Sequence, residues 1–143
     1  MMKLVCALLA TSLLVACTQD KKDSASGQNN ATKAAATPHG GKIVEVGDHV
    51  AHLELKHDEK AGTITVYVLG KDEKTPFPLT KAPEVKLRTQ DGPKVLATKA
   101  QDDKNTIFSV TDDALKVHGP QGRISLEING KPYNPGLPHM DDH

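Results

Sequence analysis

A chain of 143 residues with 18 basic and 18 acidic side chains carries no field that would attract nucleic acid or an anionic membrane, and no basic cluster stands out in it. Its two cysteines, Cys6 and Cys17, fall near the start, so the part that folds has neither a disulfide nor a thiol ligand. Enzyme signatures are missing as well: there is no Gly-x-Ser-x-Gly elbow, no His-Glu-x-x-His and no phosphate-cradling glycine loop, and the sequence reads as non-catalytic.

Residues 1–16 read as a leader. Met1-Met2-Lys3 is a short basic start, and Leu4 to Ala16 is an apolar run shorter than the roughly 20 residues that span a bilayer. It closes on Leu14-Val15-Ala16-Cys17, a tetrapeptide that resembles the lipobox of bacterial lipoproteins, which implies a lipid on Cys17 and attachment to the membrane through it. Thr18 after the cysteine implies, by the same resemblance, an outer-membrane position facing the periplasm in a Gram-negative cell. Lys3 is the only charge in this leader, so without it 17 basic residues face 18 acidic ones. Residues 17–37 hold no apolar side chain larger than alanine after the cysteine and read as a flexible tether. A coil of that length reaches roughly 25 Å.

The next twenty residues, Pro38 to His57, contain four of the chain's seven histidines. Two alternating apolar runs flank Gly47-Asp48, a hairpin dipeptide. With a turn of only those two residues, Ile43 pairs with His52, Gly41 with Glu54 and His39 with Lys56. Directly opposite residues share a face, so Val44, Val46, Ala51, Leu53 and Leu55 form a core face. His39, Gly41, Ile43, His52, Glu54 and Lys56 form the other, with Gly41 leaving room above the sheet.

Strands follow at Thr63–Leu69, Glu84–Thr89, Lys94–Thr98, Asn105–Val110 and Gly122–Ile128, with Asn129-Gly130 turning the chain into Lys131-Pro132-Tyr133. Thr75 to Leu79, interrupted by prolines, reads as an edge or a crossover. Thr111 to Val117, with Thr111 as cap, suits one helical turn at most. Asp102-Asp103 and Asp112-Asp113 read as turns and caps. Seven or eight short strands at this spacing predict an all-β, immunoglobulin-like antiparallel β-sandwich over residues 38–134, followed by a polar His-containing tail over 135–143.

The histidines point to chemistry. Neutral imidazole is a common ligand for zinc and copper, and residues two apart on a strand, about 6–7 Å between origins, can converge on one ion when their side chains are as long as His and Glu. His39, His52 and Glu54 form the candidate metal set, with His49 as a possible helper, His57 as a bystander at the head of a loop and His118 as a turn residue. Without sulfur other than Met140, the donor set suits Cu(II), Zn(II) or Ni(II), with copper bound tightest. Pro138-His139-Met140-Asp141-Asp142-His143 reads either as a frayed polar end or as a segment whose His139 and His143 join the site.

The run His39-Gly40-Gly41, Gly47-Asp48-His49, His52-Leu53-Glu54-Leu55, Ala61 to Leu69 and Pro76-Phe77-Pro78-Leu79 resembles a small exported bacterial β-domain. That domain occurs in lipoproteins and near periplasmic adaptor subunits of heavy-metal efflux systems. The resemblance covers about residues 38 to 134, and His-Gly-Gly with the later His-x-Glu is its most specific part. It implies a β-sandwich, a metal-related envelope role and a metal-efflux or other envelope protein as partner. Two functions stay open: a lipid-anchored buffer, sensor or donor of copper or zinc, and a structural or interaction module with incidental histidines. A carbohydrate- or peptide-binding role is disfavoured, because aromatic platforms are scarce.

Overall fold

The computed structural model describes residues 37–140; the expected leader, Cys17 and nearly all of the expected tether lie outside them. The strands are β1 (Lys42–Val46), β2 (Ala51–Asp58), β3 (Thr63–Leu69), β4 (Glu84–Thr89), β5 (Gly92–Ala97), β6 (Lys99–Ala100), β7 (Ile107–Thr111), β8 (Gly122–Ile128) and β9 (Lys131–Tyr133). They form two antiparallel sheets in the orders β1-β2-β3-β7-β6 and β5-β4-β8-β9. This is the all-β sandwich that the strand spacing predicts. With β1 as an added N-terminal strand, the orders β2-β3-β7-β6 and β5-β4-β8-β9 follow the two sheets, ABED and C′CFG, of an immunoglobulin-like sandwich. Among the described residues no helix is long and apolar enough to cross a membrane.

Alternation puts one apolar row of each strand inward. Val46, Leu53, Leu55, Ile64, Val66, Val68 and Phe108 of the first sheet meet Val85, Leu87, Leu96, Ile124, Leu126 and Ile128 of the second in one core cluster. Branched aliphatics supply nearly all of it, as a chain with two phenylalanines and no tryptophan requires.

The β1–β2 hairpin departs from the expected register. Val46 faces Ala51, Glu45 faces His52 and Ile43 faces Glu54, so every pair is offset by two residues and the loop holds four, Gly47 to Val50. The Val50 N–H donates to the Val46 carbonyl (3.1 Å), and Gly47 and His49 both take positive φ, 65° and 50°. Gly47 also lies under the Tyr133 ring, where an added Cβ would stand 2.6 Å from it. A two-residue offset preserves which face each side chain occupies, so the core face is the expected one. The outer face is not an open patch: residues 51–55 of β2 are buried on both sides.

The proline-rich stretch is a crossover. Phe77 donates to the Val68 carbonyl (2.9 Å) and Leu79 to that of Asn105 (3.0 Å), carrying the chain over the end of β3 before β4 begins. The short helical turn, Asp113–Leu115, is capped by Asp112, whose carboxylate accepts from the Ala114 N–H (2.8 Å). Thr111, expected as the cap, instead closes β7 and shares a hydroxyl contact of 2.7 Å with Thr63. His57, expected at the head of a loop, lies within β2 and donates from Nε2 to the Leu115 carbonyl (2.7 Å). Residues 135–140, expected as part of a tail, lie against β8: Leu137 donates to Gly122 (3.0 Å), and Met140 is only 3% exposed within the core cluster.

Candidate functional site

Glu54 sits in the middle of β2, between Ile43 of β1 and Tyr67 of β3 on the outer face of the sheet. It is completely buried. A carboxylate removed from water needs donors to replace its hydration, and residues 37–41 supply them. The backbone N–H groups of His39 (2.8 Å) and Gly41 (2.7 Å) converge on Oε1, and the ring Nδ1–H of His39 donates to Oε2 (2.7 Å).

Two backbone donors two residues apart reach one oxygen because the intervening Gly40 takes a φ of +74°, a turn that amounts to a small anion nest. Gly41 is required for a different reason: an added Cβ would come within 2.5 Å of the Leu55 carbonyl oxygen. The His39 ring then lies flat on Tyr67, with centroids 3.8 Å apart and planes 5° from parallel. Burial acts to raise the Glu54 pKa, but hydrogen bonds from Gly41, Thr37 and His39 outweigh it and hold the carboxyl below its ordinary 4.5.

His39 and Glu54 are therefore brought together, as expected, in a contact whose carboxylate oxygens are already taken. His52 is not brought to them as a third ligand. Its ring is 3% exposed and faces the β3–β4 connection, where Nδ1–H donates to the Gly70 carbonyl (3.1 Å) and Nε2 lies 3.5 Å from Glu73 Oε1. A backbone carbonyl on Nδ1 fixes the neutral tautomer so that Nε2 carries the lone pair, the arrangement common in metal-binding histidines.

The fourth expected residue, His49, stands at the tip of the hairpin with its side chain 69% exposed. Its N–H donates to Glu45 Oε1 (3.0 Å), and its ring is 5.9 Å from that of His52. One ligand atom from each of Glu45, Asp48 and His49 lies within 4.8 Å of the other two, and among the described residues this is the group of three or more metal-ligating side chains so arranged. Zinc–ligand bonds of about 2.0–2.2 Å place tetrahedral ligands roughly 3.5 Å apart. Exposed side chains need only a small rotamer adjustment to reach that spacing.

Glu45, Asp48 and Glu73 are the members of this region that the sequence does not single out. Glu45 lies on the same face as His52, and only the offset register sets the two directly opposite each other. Glu73 arrives from a separate loop in which it holds a φ of +58°. Comparison of the chain with protein-family models, with curated proteins and with solved structures found no significant match.

Proposed function

We propose that this chain is a non-catalytic, lipid-anchored envelope protein that binds a divalent transition metal, Cu(II) or Zn(II), at the tip of its β1–β2 hairpin. The observation that carries the reading is the convergence of one imidazole and two carboxylates, from His49, Glu45 and Asp48, on an exposed turn. His52 offers a further nitrogen, Nε2, on a ring 5.9 Å from that of His49, its tautomer set by Gly70. A mixed nitrogen and oxygen set of this kind suits zinc or copper. The anchor rests on Leu14-Val15-Ala16-Cys17, outside the described residues, and the envelope setting on that tetrapeptide and on the resemblance to the exported β-domain.

In this reading Glu54 is no ligand. Its charge holds residues 37–41 on the sheet, and His39 serves the same contact. The protein acts as a buffer, sensor or donor for an efflux or other envelope partner.

The test is elemental analysis of protein purified without a histidine tag, followed by calorimetric titration with Cu(II) and Zn(II). The expected result is one equivalent bound with micromolar or tighter affinity, weakening on acidification because imidazole coordinates only when deprotonated. Nothing tighter than millimolar would sink the proposal. The rival reading, an interaction module, draws on edge strand β5, where Val95 is 58% exposed. It predicts metal-free protein and a partner that survives chelation.

A further inference from the structure

On the second sheet, far in sequence from the hairpin, a groove of about 440 Å³ opens between the end of β4, the start of β8 and residues 136–139. Its lining includes Arg88 and Arg123. These are the only two arginines in a chain whose other 16 basic residues are lysines.

Their convergence follows from the pairing. Arg123 faces Lys86 across the β4–β8 ladder and the Arg88 N–H donates to the Gln121 carbonyl (2.9 Å), so the two arginines are diagonal neighbours on one face. Diagonal cross-strand neighbours lie within reach of two long side chains. Gly136 stands opposite Arg123 on the other side of β8, and nothing lies within 4 Å of where its Cβ would be, so the face stays open there. His139 and the backbone around Gly119 close the far wall.

The charge in this groove is one-sided. Among the described residues no carboxylate lines it and neither guanidinium has an ion pair. The lysine on the same face differs: Lys86, opposite Arg123, donates to the Ser125 hydroxyl (3.2 Å) and lies 4.0 Å from a Glu84 carboxylate oxygen. Two unpaired guanidiniums side by side repel one another and gain from a shared anion.

We propose that the groove binds a phosphate group. A carboxylate offers two oxygens on one side and is satisfied by a single arginine fork, whereas a tetrahedral phosphate can accept two forks and a further N–H from a third direction. The group can come as free phosphate or a small phosphomonoester, or as the headgroup of an anionic phospholipid at the membrane to which the proposed anchor would tether the domain.

The experiment is titration of the full chain with inorganic phosphate at fixed ionic strength, followed by NMR of the arginine Nε–H signals. The full chain keeps Asp141 and Asp142, which follow His139 in sequence. A parallel arm measures co-sedimentation with phosphatidylcholine vesicles with and without phosphatidylglycerol. Saturable shifts at Arg88 and Arg123 identify a soluble phosphate ligand; retention only on anionic vesicles identifies a headgroup. In either case R88Q/R123Q should weaken binding by about tenfold or more, while K60Q/K71Q, the same loss of charge on exposed loops, leaves it unchanged. Binding in neither arm, or equal losses in the two double variants, overturns the proposal.

Discussion

His52 and Glu54 stand two residues apart on the same face of the same strand, yet their surroundings have nothing in common. Around Glu54 every lone-pair direction that matters is filled by a donor from residues 37–41, and no part of the residue reaches solvent. Around His49 and the outer nitrogen of His52 the acceptors are only partly matched: two carboxylates and an imidazole crowd at the hairpin tip, where the His49 N–H reaches Glu45 alone, and Nε2 of His52 looks towards Glu73. The first arrangement is satisfied by the protein alone and fixes where the chain joins the sheet. The second stands open to water, a proton or a cation. Residue type does not separate the two, since each contains histidine and glutamate; completeness of hydrogen bonding does.

The largest test of that contrast is Glu54→Ala. It strands the His39 and Gly41 N–H groups and frees the segment they belong to, so stability should fall by roughly 3 kcal/mol, the scale for breaking a buried charged contact. That corresponds to a drop in Tm on the order of 15 °C for a domain this size. Urea titration checks it, and a loss under about 1 kcal/mol would mean that the contact does not hold the fold. His49→Ala should do the reverse. Stability should stay within about 0.5 kcal/mol, as for most exposed sites, while Cu(II) or Zn(II) affinity falls by at least the roughly tenfold typical of losing even an outer-shell partner. His39→Ala sharpens the division. Losing the Tyr67 stack and one charge-assisted hydrogen bond should cost about 1–2 kcal/mol with metal affinity unchanged; a weakened metal isotherm would move the binding site to His39.

How much of this the sequence discloses depends on whether the cause is local. Strand alternation has a period of two, so the assignment of Leu53 and Leu55 inward and His52 and Glu54 outward survives a two-residue error in register. The loop length did not come through. Gly47-Asp48 alone signals a two-residue turn, while the longer loop depends on His49 accepting positive φ and on Tyr133 packing over Gly47 from the opposite end of the chain. That error hid Glu45, which the shorter turn places opposite Val50 rather than His52. The covering of Glu54 was also invisible, because the curl of residues 37–41 over the sheet needs both the Gly40 turn and a buried anion to close on. Glu73 carries no local signal at all. Its place beside His52 is set by the path of the β3–β4 crossover.

Acid sensitivity offers the finest division between the two regions. The Glu54 carboxyl is held below 4.5 in the folded protein by hydrogen bonds that outweigh its burial. A group with a depressed folded-state pKa contributes stability that is complete above its unfolded value and is lost as pH falls through the folded one. The clasp should therefore be fully intact at neutral pH and weaken only below about pH 4.5. Asp72, held at about 2 by the Thr75 hydroxyl and neighbouring N–H groups, contributes in the same direction but stands exposed to solvent screening. Glu54→Gln isolates the buried group. The amide oxygen still accepts from His39 and Gly41, and the His39 ring can switch tautomer to accept from the amide nitrogen, so the neutral-pH cost should be only about 1 kcal/mol. What the substitution removes is the proton linkage. Melting curves from pH 7 to pH 3 should show the gap between Glu54→Gln and the parent narrowing as the pH falls, because protonation brings the parent to the same uncharged contact. A gap that stays constant across that range would mean the carboxylate's charge plays no part in holding residues 37–41 to the sheet.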